Sequence, residues 1–95
     1  MTPIPFDPKA ADEAEFFEWN FADAVTPGDT VDTLVGVTEL QGDGALVIAQ
    51  TKLTGFLVSA KLSAGTPESP YVVRAQVTTV GGETLDLDGY LFVTA

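Results

Sequence analysis

Residues 71–93, YVVRAQVTTVGGETLDLDGYLFV, decide the fold. Tyr71, Val73, Ala75 and Val77 alternate with Arg74, Gln76 and Thr78. A period of two marks a strand with one face covered. Leu85 and Leu87 alternate with Asp86 and Asp88 in the same way. Between the two runs, Gly81-Gly82 reads as a two-residue hairpin loop, since the tight hairpin turns need positive φ. Beyond Gly89 the alternation gives way to Tyr90, Leu91, Phe92 and Val93 in a row. Gly89 therefore reads as a bulge or as the switch from a solvated to a covered sheet segment.

Toward the N-terminus the same period recurs. Phe56, Val58, Ala60 and Leu62 share a face opposite Ser59 and Lys61, and residues 45–53 form an apolar, β-branched run. Val31, Thr33, Val35 and Val37 share a face in the run before it, and Phe17, Trp19 and Phe21 in the first. The turns are VTPGDT (25–30), QGDGA (41–45), Gly55 and AGTPESP (64–70). No segment carries a 3.6-residue period over ten or more residues. The expectation is an all-β, immunoglobulin-like sandwich of about seven short strands over residues 15–95. An OB-type barrel is the alternative, but the helix it needs between its third and fourth strands is not visible. Residues 1–14, with Pro3, Pro5 and Pro8, read as an extended arm. A single helical turn from Pro8, capped by Asp7, is the competing reading there.

Composition narrows the chemistry. The chain has 95 residues, no cysteine and no histidine. Cysteine nucleophiles, Ser-His-Asp triads, zinc fingers and histidine-based metal sites all need residues that are missing. Fourteen acidic residues face four basic ones, Lys9, Lys52, Lys61 and Arg74, for a formal charge of −10. Such a surface repels phosphate backbones, so nucleic acid is not an expected partner. It suits solubility or a basic protein partner. No apolar run is long enough to span a membrane, and the first fourteen residues lack the pattern of a secretion signal, so an intracellular product is expected.

Local motifs are weak. AGTPESP has no lysine and leads into a strand, which excludes a phosphate-binding loop. The Asp-Gly pairs at 43–44 and 88–89 lack calcium-loop spacing. Glu15 with Glu18, or Asp86 with Asp88, could pair as acid and base, but nothing places either pair in a pocket. No catalytic, cofactor or metal residue is assigned. Trp19 reads as the central core residue. Phe16 and Tyr90 fall out of phase with the core face and read as contact aromatics. With the loop Thr66, Pro67, Glu68, Ser69 and Pro70 and the arm residues Pro3, Pro5 and Phe6, they form the candidate interface.

Several segments in order carry a resemblance: FEW (17–19), GDTV (28–31), LSAGT (62–66), Tyr71 and VTTVGGET (77–84). They resemble a family of small tailed-phage virion proteins with an immunoglobulin-like fold, described as fibre–tail adaptor-like. Family members read Asp-Trp where Glu18-Trp19 stands, and Leu-Ser-Gly-Gly-Thr where Ala64 takes the first glycine position. The resemblance implies a non-enzymatic virion component without a cofactor. It would be made in the host cytoplasm and partnered with neck, tail, fibre or capsid proteins in a symmetric multi-copy assembly. A capsid decoration protein is the structural alternative, and a carbohydrate- or other ligand-binding module is the alternative of another class.

Overall fold

The computed structural model describes residues 3–95, so the first two residues of the expected arm lie outside the described residues. Eight strands follow one another: β1 (Ile4–Pro5), β2 (Lys9–Ala10), β3 (Ala14–Asn20), β4 (Val31–Gln41), β5 (Leu46–Thr54), β6 (Leu57–Ala64), β7 (Ser69–Thr79) and β8 (Thr84–Thr94). They form two sheets. The first runs β1-β8-β7-β4, with β2 also on β8, and the second runs β3-β6-β5. Counting β1 and β2 as two pieces of one interrupted strand gives seven strands in immunoglobulin order. The expected all-β sandwich is what the chain forms.

The alternation of residues 71–93 fills the core. Tyr71, Val73, Ala75 and Val77 of β7 and Leu87, Leu91 and Val93 of β8 are buried, facing Trp19, Val58, Ala60 and Leu62 of the second sheet. Trp19 is fully buried, and its indole N–H donates to the Val73 carbonyl at 3.2 Å. That bond joins the two sheets and satisfies the only polar atom of the indole, which would otherwise be costly to bury.

Four local readings need correction. The β7–β8 loop is not a two-residue turn. It spans residues 80–83, Thr79 N–H closes it onto the Glu83 carbonyl, and only Gly82 of the two glycines has left-handed φ, at +94°. The β3–β4 loop holds it open: Val80 N–H donates to the Thr30 carbonyl and Gly81 N–H to Asp29 Oδ1. Gly89 is neither a bulge nor a switch point. The β7–β8 register runs without a shift from Ser69↔Val93 to Thr78↔Thr84, and Gly89 lies on the inner face in phase with Leu87 and Leu91. The β4 pattern is not a clean alternation either. Register shifts at Val31/Thr33 and Leu34/Gly36 turn Leu34 toward the core and leave Val35 exposed. Finally, residues 8–10 form no helical turn, because β2 pairs there in parallel with Val93 and Thr94.

Candidate functional site

The N-terminal segment crosses the open side of the sandwich. β1 lies parallel to β8 with Ile4 opposite Gly89, and Phe6 N–H donates to the Tyr90 carbonyl at 2.9 Å. This aims the Phe6 ring between the sheets. It packs 5.0 Å from the Phe17 ring and edge-on to Trp19 at 5.2 Å. A Cβ on Gly89 would overlap the Phe6 ring, so glycine is what lets the plug sit on β8. Three residues on, the Lys9 side chain is fully buried, and its Nζ donates to the carbonyls of Ala10 (2.8 Å) and Ala64 (2.6 Å). Burial holds the Lys9 pKa below the ordinary lysine value, opposed by the field of Glu13, Glu15 and Asp12.

Between this segment and β3 runs an open groove of about 700 Å³, lined by Pro5, Phe6, Asp7, Glu15, Phe16 and Glu18 among others. It gathers three of the expected interface residues, Pro5, Phe6 and Phe16. Phe16 is 59% exposed. The lining carries three carboxylates and no basic side chain.

The loop of residues 64–70 lies at one end of the sandwich beside the β4–β5 loop. Asp43 ties the two together. Its carboxylate accepts from Thr66 Oγ1, from Tyr71 Oη at 2.6 Å and from the Ala45 N–H at 3.0 Å, while Tyr71 Oη accepts from the Thr66 N–H at 2.8 Å. A tyrosine at the start of the sixth strand, with β1 and β2 counted as one, bonding back to the preceding corner is a recurrent immunoglobulin-sandwich device. The hydrogen bonds, first that of Thr66 and then that of Tyr71, lower the Asp43 pKa to about 2. Thr66 is thus committed within the molecule, while Pro67, Glu68 and Pro70 are exposed and Ser69 begins β7 opposite Val93. Pro3, Pro70 and Tyr90 meet in a shallow second cavity of about 580 Å³, beside Gln41 and Val72. Tyr90 and Val72 are cross-strand partners on the outer face of the first sheet.

Six of the ten expected contact residues therefore fall on two surfaces, Pro5, Phe6 and Phe16 in the groove at β3 and Pro3, Pro70 and Tyr90 in the patch at Tyr90, while Thr66 to Ser69 line neither. A reading of the sequence passes over the burial of Lys9, and shows Asp43 only as a turn residue and Gly89 only as a glycine within a strand. The paired aspartates of β8 are also accounted for: Asp88 takes Arg74 in a two-pronged bond (2.7 and 3.1 Å), and Asp86 lies 3.9 Å from the same guanidinium. These bonds raise the Arg74 pKa.

The protein is a small two-sheet sandwich whose polar clusters tie its own loops together. The chain belongs to the family described as podophage GP4 fiber-tail adaptor protein gp77, whose model matches residues 9–91. This is a family of structural phage adaptor proteins, not of enzymes, which makes the chain a virion component that binds other virion proteins such as tail and fibre. The match begins at the buried Lys9 and takes in Asp43, Tyr71 and Gly89, while Pro3, Pro5 and Phe6 precede it. No curated protein sequence matches the chain.

Proposed function

We propose that the protein is one subunit of a symmetric, multi-copy ring at the neck or tail of the virion, where it holds a fibre to the tail. It is made in the host cytoplasm and works by docking, with no chemical step. The observation that supports this reading is the division of the exposed contact residues between two surfaces. Phe16 projects from the outer face of the second sheet and Tyr90 from that of the first. An adaptor needs one surface for each partner, and outward aromatics are favoured at the centres of interfaces. The arm Pro3–Phe6 contributes to both surfaces.

Cryo-electron microscopy of intact virions tests this. A ring of about 6 or 12 copies at the tail is expected from the symmetry of closed assemblies. Hundreds of copies spread over the capsid would overturn it in favour of decoration. In reconstituted tails, Phe16→Asp and Tyr90→Asp should each abolish binding of a different partner. Loss of the same partner by both would refute the two-surface arrangement.

A further inference from the structure

The sandwich has four sheet borders: β4 and the β1/β2 segment in the first sheet, β3 and β5 in the second. A border strand exposes unpaired N–H and C=O groups, and proteins blunt such edges with bulges, prolines or short strands. Three of the borders are blunted. β4 carries three register shifts, and β5 carries one, with Gln50 at φ +50°. The β1/β2 border consists of two two-residue pieces interrupted by Pro5 and Pro8. β3 has neither a bulge nor a proline, and its guard is only the negative charge of Glu15 and Glu18, which opposes an acidic strand but not a basic one. Its seven residues pair with β6 in unbroken register from Ala14↔Ser63 to Asn20↔Leu57, with no Pro, Gly or Lys among them. Among the described residues, no other element bonds to the outward backbone groups of β3.

We propose that β3 is a strand-pairing site that receives an extended, basic segment of a partner protein as a fourth strand of the second sheet. The inference deepens the adaptor reading and rests on it for the existence of a partner. Main-chain hydrogen bonds would supply affinity and alternate side chains would supply selectivity. On β3, Phe16 and Glu18 project from the outer face, and Glu15 and Asp7 rim the groove alongside. The complement is an apolar side chain beside Phe16 with Lys or Arg beside Glu18 and Glu15. Lys61 is opposite Phe16 on β6, on the side of β3 away from the free border, and Lys9 is buried. A second copy of the chain is the poorer occupant. It would set a charge of −10 against −10 and bring Glu15 and Glu18 of both copies to one seam.

The test uses the full chain and an acetylated nine-residue peptide of repeating lysine-valine-valine, which sets lysine beside both Glu15 and Glu18 and valine beside Phe16. The controls are a peptide with glutamate for lysine and one with a central proline at unchanged charge. Fluorescence anisotropy reads affinity, and amide hydrogen exchange reads location. Binding of the first peptide is expected to exceed that of either control at least tenfold and to slow exchange in residues 14–20. The variant Glu18→Lys, on a solvent-exposed position away from Lys9, is expected to keep its melting temperature and lose at least tenfold in affinity. Equal binding of the proline peptide would reduce the effect to general charge attraction and overturn the proposal. Protection at β4 or β5 instead of β3, or dimerisation of the chain through β3, would overturn it too. Failure here leaves the virion copy number untouched, so it is distinguishable from failure of the adaptor reading.

Discussion

The N-terminal segment of residues 3–11 and the loop of residues 63–70 are both short, irregular and proline-bearing, yet opposite forces hold them. Phe6 fastens the segment by entering the aromatic gap above Gly89. Asp43 fastens the loop by accepting hydrogen bonds from Thr66 and Tyr71 in a partly solvated knot. The first tie depends on shape and apolar burial, and it is indifferent to acid. The second depends on a charge that acid removes. Two segments that look alike as sequence therefore answer to different perturbations.

The largest effect is expected at the apolar tie. Phe6→Ala should cost roughly 2–3 kcal/mol, less than a fully buried phenylalanine because the ring is only half-buried. Gly89→Ala should cost about 1–3 kcal/mol by crowding the same space from the other side. Both should speed hydrogen exchange of the Phe6 amide while leaving the Thr66 amide protected. If Gly89→Ala left melting and exchange unchanged, the plug would not be seated on β8.

A smaller effect is expected at the polar tie. Asp43→Asn should lower the melting temperature by less than Phe6→Ala and expose the Thr66 amide alone. Because the folded Asp43 pKa lies at about 2, below the ordinary value of 3.8, its stabilisation is fully present above the ordinary value. It is lost as pH falls through about 2, where the unfolded chain binds the proton more readily. Denaturation curves of the wild type and Asp43→Asn should therefore converge in acid. A difference that stayed constant from neutral pH to about 2 would contradict the charged role of Asp43.

The smallest effect is expected where the two regions touch. Ala64 has φ +60°, a left-handed conformation that costs an alanine about 1–2 kcal/mol, and its carbonyl accepts from Lys9. Ala64→Gly should stabilise the chain by roughly 0.5–1 kcal/mol, the relief being partly offset by the greater freedom of glycine when unfolded. Thermal melts decide the sign, and a destabilised variant would show that the backbone strain at Ala64 is not a net cost.

Much of the sandwich was legible because burial repeats every two residues. Trp19 and the faces of β6 and β7 follow from alternation alone. The pattern failed at β4, where bulges re-aim side chains that a strict period assigns to one face, so Val35 points outward and Leu34 inward. It failed at Gly89 because a glycine within a strand carries no sign of what fills the space above it. The outward aromatics and exposed prolines were legible as types, but their placement in a β3 groove and a Tyr90 patch was not. Lys9 was hidden most completely, since a lysine in a polar stretch reads as solvated.

The sequence by itself determined the class of fold, the absence of cysteine and histidine chemistry, the acidic surface and the ordered motifs of the adaptor family. These depend on local period, composition and spacing, which a linear chain displays. Only the tertiary structure decided which border strand stays regular, where Phe6 seats, what holds Asp43 in its charged form and why Lys9 can be buried. Each of those depends on contacts between residues well separated in the chain, such as Asp43 with Thr66, 23 positions apart, and Lys9 with Ala64, 55 apart, or on a bulge that appears only when two strands are laid side by side.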